Sequence, residues 1–377
     1  MKFTTDLGEV KKALAAMGKA VKKISIEPAL IKMEALEDSL RLSLNGTVGV
    51  QISIPAKVSE QGCFVTSFSS ANILTVRHCN STLNGKSIDE NTLLLTYNGG
   101  KAKTVLTKSN ATFVDIPKPQ AEYPQVELQT EAVKKLAKDT LFAACEDTND
   151  MLHAVKLDIA DDEEGILKFV LTAADRRSIA KRTAYAAKNG TYTGSTVLLP
   201  EQVKITMDML DNDGNLTIAF GDGKVFFSQE SIMVCFQELA RKYPNIDSII
   251  QQMNQPFSFK VDKKELLDVL NSVLYLQGAA GSVGSSLTLQ FTDDAVTISY
   301  TGNTEYIETL PATITGTFNA PVYFSAAMLK EIVTICPNQE VVIGGENPMH
   351  PFWMTCGENQ EYLYCLMPIN PNFQKNQ

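Results

Sequence analysis

Two hydrophobic periods alternate along this chain. In SLRLSLNGTVGVQISIP (39–55), NTLLLTYNGGKAKTVL (91–106), NLTIAFGDGKVFFS (215–228) and SLTLQFTDDAVTISY (286–300), apolar side chains recur at every second position on either side of a turn. That alternation predicts antiparallel strands with one buried face. Elsewhere the period lengthens. Val10, Leu14, Met17 and Val21 follow the i, i+4, i+7, i+11 spacing of one helical stripe. At ~100° per residue this sets Lys12, Lys19 and Lys23 on the opposite face. Helix starts are predicted near residues 6, 68, 130, 200, 262 and 325, each after a short strand-like run. Thr5 or Asp6, Ser67, Thr130, Asp262 and Ser325 supply N-cap chemistry, and Pro200 suits a first helical position.

The opening phrase recurs. MKFTTDLGEVKKAL (1–14) is echoed by VELQTEAVKKLA (126–137) and by FSFKVDKKELLDVL (257–270), with Phe259 on Phe3, Asp262 on Asp6, and Val133-Lys134-Lys135 on Val10-Lys11-Lys12. Self-similarity of this kind points to tandem domains. An α+β protein of three domains is predicted, 1–122, 123–254 and 255–377, each with two helices against antiparallel sheets. The boundaries follow the proline-bearing connections IPKPQAEYPQ (116–125) and YPNIDSIIQQMNQP (243–256).

Composition narrows the chemistry. The chain has 377 residues, a net charge of −9, seven cysteines without a C-x-x-C pair, and three histidines far apart. Disulfide, zinc and histidine-based catalytic frameworks are disfavoured, and no metal or cofactor is expected. The N-terminus lacks an apolar core and a cleavage site, so a cytoplasmic location is expected. Net acidity disfavours nonspecific nucleic-acid binding by the whole surface, yet leaves room for one basic face. The first and third helices offer such a face through Lys12, Lys19, Lys22, Lys23, Lys135 and Lys138. On the fifth, Lys264 shares its outer side with Asp268 and Asn271.

An enzyme is the main rival class. DDEEG (161–165) could gather a metal, and FGDGK (220–224) and GAAGSVGSS (278–286) superficially resemble phosphate cradles, but no P-loop spacing exists and all three read as turns between strands. A β-rich scaffold or binding protein that does not act on DNA is the other alternative. The basic helix faces count against it.

Three further stretches carry a family resemblance. LTAADRRSIA (171–180) resembles A-T-D-G-H-R-L-A, KYPNIDSIIQ (242–251) resembles F-P-D-Y-R-R-V-L-P, and YCLMPIN (364–370) resembles Y-V-V-M-P-M-R. With the MKFT opening and the threefold repeat, the chain resembles the bacterial sliding clamp, the β subunit of DNA polymerase III, over essentially its whole length. The departures lie at Ala174, Arg176, Arg177, Ser178 and Ser248.

The resemblance implies a non-enzymatic DNA replication factor. It would be a homodimeric ring of clamp domains around duplex DNA, with the helices inside, tethering the replicative polymerase, the clamp loader and other clamp-binding-motif proteins. It implies a peptide-binding pocket walled by Leu157, Ala174, Arg176, Arg177, Ile179, Pro244, Ser248, Ile249, Cys365, Leu366, Met367, Pro368 and Ile369. The six lysines above would face DNA, whereas Gln202 stands where the family often has a basic residue. Ring closure would pair the edge run KAKTVLT (101–107) with the partner's third domain, Tyr275 and Leu276 packing against Val105 or Leu106.

Overall fold

The computed structural model describes residues 1–21, 29–76, 81–162, 165–188, 192–279, 286–357 and 361–370. Lys22 and Lys23, and most of GAAGSVGSS, lie outside them. Two compact units emerge: 1–135 with 160–167 and 186–240, and 136–159 with 168–185 and 241–377. The expected boundary at 122/123 falls inside the first unit, and that at 254/255 inside the second.

The six helix starts appear where the local signals put them: α1 (Leu7–Val21), α2 (Phe68–Asn72), α3 (Thr130–Thr140), α4 (Pro200–Met209), α6 (Lys263–Ala279) and α7 (Ala326–Ile335). A seventh, α5 (Asp247–Ile250), is a single turn inside the expected 243–256 connection. Asp6 accepts from the N–H of Glu9 and Asp262 from that of Glu265, the same cap on two copies of the repeat. Ser67 and Ser325 cap α2 and α7 through the N–H groups of Ser70 and Met328.

The α-helix that begins at Phe68 runs to Asn72 and becomes a 3₁₀ turn over Ile73–Val76. There the Thr75 hydroxyl donates back to the Asn72 carbonyl, and the β-branched Ile73, Thr75 and Val76 disfavour a regular helix. Helix α3 ends at Thr140, whose hydroxyl donates to the Leu136 carbonyl, and Ala144 beyond it is extended.

In the first unit, strands 102–107, 92–97, 82–89, 2–6, 49–60, 232–237, 224–229, 215–221 and 125–129 follow one another side by side in one sheet. The twelve-residue strand 49–60 is its pivot. Its far half pairs with strand 2–6, while Gly49, Val50, Gln51 and Ile52 pair with Cys235, Val234, Met233 and Ile232. The first and second repeats are therefore joined by a main-chain ladder.

The proline-bearing connection between them is pinned as well. Ile116 is buried against Ala219, Phe226 and Cys235, and the Tyr123 hydroxyl donates to Asp222 Oδ2 at 2.5 Å. Asp222 and Gly223, with φ of 51° and 67°, form the tight turn of FGDGK, the hairpin geometry that a D-G pair favours. Phe3, the aromatic of the repeat, faces Gly85, where any Cβ would meet the ring at 2.2 Å. Val10, Leu14 and Met17 of α1 are fully buried, and α1 packs against α2 and α4. Each such side chain contributes roughly 1.5–3 kcal/mol.

In the second unit, strands 155–161, 166–174, 178–187, 362–366, 352–356, 340–345, 257–262 and 313–315 follow one another, the first three running on into the first unit's residues. A separate four-stranded sheet runs 305–311, 295–301, 286–291, 322–325. Phe257, Phe259, Phe291, Phe318, Phe324 and Phe352 pack at tilted and edge-to-face angles through its core, with centroids 4.7 to 5.8 Å apart along the chain of rings.

Arg182 is buried beside this layer. Its guanidinium lies 3.4 Å from Asp139 and 3.2 Å from Glu361, over the Tyr362 ring. No described helix is long and apolar enough to cross a membrane, and the described residues hold no group of three or more His, Cys, Asp or Glu suited to a metal ion.

Candidate functional site

The segments that carry the resemblance meet in the second unit. Strand 178–187 pairs antiparallel with strand 362–366, setting Ser178, Ile179 and Ala180 opposite Leu366, Cys365 and Tyr364. A turn precedes it. Asp175 Oδ1 accepts from the N–H of Arg177 at 2.7 Å, from the N–H of Ser178 at 2.5 Å and from its hydroxyl at 2.9 Å, which locks Arg177 at the corner. The Arg177 carbonyl then accepts from Met367 N–H at 2.7 Å, and Ile369 N–H donates to the Tyr323 carbonyl at the same distance. Met367, Pro368 and Ile369 are thus tethered at both ends and half-buried.

The second stretch, KYPNIDSIIQ, approaches through α5. Lys181 of the strand reaches Asp247 at 2.6 Å, and the Ser248 hydroxyl donates to the Asn245 carbonyl at 2.7 Å, fixing the turn that presents Ile249, 42% exposed. The thirteen pocket candidates divide accordingly. Leu157, Ala174, Ile179, Cys365 and Leu366 are buried. Arg176, Arg177, Pro244, Ser248, Ile249, Met367, Pro368 and Ile369 keep accessible surface. Burial pushes the Cys365 thiol up to about 12, so it is packing material and not a nucleophile.

The rim is electrostatically structured by residues the sequence reading missed. Arg176, though 82% exposed, pairs with Asp150 at 2.9 Å, and Arg241 donates to the carbonyls of Asp150 and His153. The N–H of Leu152, foremost, and Arg176 hold the Asp150 carboxyl below its ordinary value. The bond from Lys181 does the same for Asp247. Beyond Ile249 lies a cleft of about 280 Å³ bounded by Gln252, Asn254, Glu346, His350, Pro351 and Trp353. The only sequence signal for Arg241 was its place one residue before KYPNID.

The lysine candidates fall on two faces. Lys12 and Lys19 are exposed on α1 and border a shallow cleft of about 800 Å³ that also carries Asp38, Asp208, Asp211 and Glu230. Lys12 is paired with Glu9 at 2.7 Å, and Lys19 donates to the Asp208 carbonyl at 2.6 Å. Lys135 and Lys138 are exposed on α3, whereas the neighbouring Lys134 is tied to Leu210 and Asn212. Gln202 is not on a surface at all. It is buried, and its amide donates to the Thr47 carbonyl at 3.0 Å.

Two strands end their sheets. Strand 102–107 closes the first unit's sheet with Val105 at 59% exposure, while Leu106 at 1% belongs to the core and offers nothing to a partner. Strand 305–311 ends the four-stranded sheet of the second unit, with Ile307 exposed. Tyr275, 76% exposed, and the half-buried Leu276 lie within α6, which packs beside that strand. The 305–311 edge escaped the sequence reading because TEYIETLP alternates weakly.

Solved structures share this fold from end to end. A DNA polymerase sliding clamp from Bacillus subtilis is similar at TM-score 0.88 and 18% identity, over 98% of this chain and 99% of that one. The DNA polymerase III β chain of Streptococcus pneumoniae gives 0.86 at 18%, with the same coverage. The β subunit from Thermotoga maritima gives 0.83 at 18%, again over 98% and 99%. No family model and no curated protein matches the sequence. The chain has the sliding-clamp fold.

Proposed function

We propose that this chain is a non-enzymatic processivity clamp of three tandem domains, 1–122, 123–254 and 255–377. Two copies close head to tail, encircle duplex DNA without reading its sequence, and tether a replicative polymerase, a clamp loader and other proteins through short peptides. The observation that carries this reading is the likeness to sliding clamps over the full length of both chains. A tether that surrounds DNA needs only sparse, salt-sensitive phosphate attraction. Lysines scattered over helix faces of an acidic chain suit that need.

Closure is supported by the two sheet edges. Unpaired strands invite pairing. Strand 102–107 exposes Val105 and Lys103, and strand 305–311 exposes Glu305, Ile307 and Glu308, so their charges are complementary. Docking is supported by the partly exposed apolar side chains Met367, Pro368, Ile369 and Ile249, carried on segments that are each tied to residues 177–181. Sedimentation velocity at micromolar concentration is the test. The wild type should run as a dimer, and Val105→Asp with Ile307→Asp should run as a folded monomer; a wild type that stays monomeric removes the ring.

A further inference from the structure

We propose that Cys336 and Cys356 form a redox-sensitive pair, which a peroxide oxidises to a disulfide that staples the end of α7 to strand 352–356. Cys336 is the C-cap of α7, and Cys356 is the last residue of the strand. Several contacts bring the two segments together. Gly357 N–H donates to Asn338 Oδ1 at 3.4 Å, α7 packs on strand 362–366, and Tyr362 of that strand pairs with Cys356. The described cysteines are all free thiols, and these two side chains lie together, the Cys356 S–H toward the Cys336 sulfur.

A helix C-terminus by itself repels negative charge. Here Lys263 offsets it, its ammonium donating to the carbonyls of Thr334 at 3.0 Å and Cys336 at 2.5 Å. The Cys356 thiol foremost, then the Asn338 N–H and Lys263, hold the Cys336 thiol below its ordinary value against the opposing effect of burial. The same contact and burial push Cys356 up, so the first proton to leave the pair comes from Cys336. Cys235 and Cys365 lack such neighbours, and burial pushes them up to about 11 and about 12. At 1% and 8% exposure the pair shuts out a bulky oxidant, whereas hydrogen peroxide is little larger than water. The Cys336 thiolate attacks one peroxide oxygen; an S–O bond forms as O–O breaks, and the departing hydroxide takes up a proton. The Cys356 sulfur then displaces water from that sulfenic acid and gives up its own proton, so two thiols and one peroxide become one disulfide and two waters.

The test treats the folded full chain with hydrogen peroxide at neutral pH, removes the peroxide, and blocks the remaining thiols under denaturing conditions. Non-reducing peptide mapping should show one main crosslink, Cys336 to Cys356, which dithiothreitol removes. Chain unfolded in urea during the treatment should give mixed pairings instead. The bond closes a loop of about 20 residues, so the urea midpoint read by Trp353 fluorescence should rise by about 1.5 M over the reduced protein. In Cys356→Ser the peroxide-treated and reduced midpoints should coincide. Absence of the crosslink in the folded wild type, the same pairings with and without the fold, or a crosslinked protein whose midpoint does not rise overturns the proposal; the mapping stands on the wild type alone if the variant does not fold.

Discussion

Arg182 offers the sharpest test of how the second unit is held together. Its side chain is 8% exposed, that of Asp139 is 5%, and the two approach to 3.4 Å where α3 ends beside strand 178–187. Replacing Arg182 with Met keeps most of the volume, but takes the Arg182 guanidinium away from the buried Asp139 and removes the cation over Tyr362. Breaking a buried pair from one side costs about 3–5 kcal/mol, because the surviving charge is stranded in a poor solvent. Adding Asp139→Asn removes that stranded charge and should bring the protein back to within about 2 kcal/mol of the parent. Trp353 is the single tryptophan of the chain and is buried in the same unit, so its fluorescence reports this transition selectively. With a urea slope of about 2 kcal/mol/M, Arg182→Met should lower the midpoint by about 2 M. A loss under about 1 kcal/mol, or a double variant no better than the single one, would refute the stranded-charge argument.

Replacing Lys12 and Lys19 with Glu should weaken retention on circular duplex DNA and lower the salt slope of binding by about two, one for each phosphate the chain no longer neutralises; an unchanged slope would put those lysines away from DNA. The Lys181 bond lowers the Asp247 carboxyl below 3.8 in the folded protein, so its stabilisation is complete above that value and disappears as pH falls through the folded value. Hydrogen exchange in α5, corrected for intrinsic rates, should therefore be flat from neutral pH to about 5 and quicken below about 4, with a step of about 0.5 kcal/mol that Asp247→Asn abolishes; a step that persists in the variant contradicts this origin.

Helix beginnings were legible because their determinants are local. Asp6, Ser67, Asp262 and Ser325 cap donors three residues ahead, and no distant partner is needed to recognise them. The candidate site was legible in part, since ADRRSIA and YCLMPIN each carry their own turn and strand pattern. Their meeting depends on a ladder between residues nearly two hundred apart, which no local pattern encodes. Arg182 lies in SIAKRTAYAA, which carries no local sign of burial; only the approach of Glu361, 179 residues on, and of Asp139 makes it a buried ion pair. Asp150 and Arg241 were silent for the same reason. Leu106 and Val105 looked alike as apolar neighbours, and the register of their strand decides which one faces outward.

The ladder between Gly49–Ile52 and Ile232–Cys235 also bears on motion. Flexing at this seam would strip four consecutive backbone pairs of their partners and expose Ile116 and the Tyr123 ring to water. The passage from the first repeat to the second is thus a rigid weld and not a hinge, despite its prolines. If two copies close into the proposed ring, opening it has to part another junction.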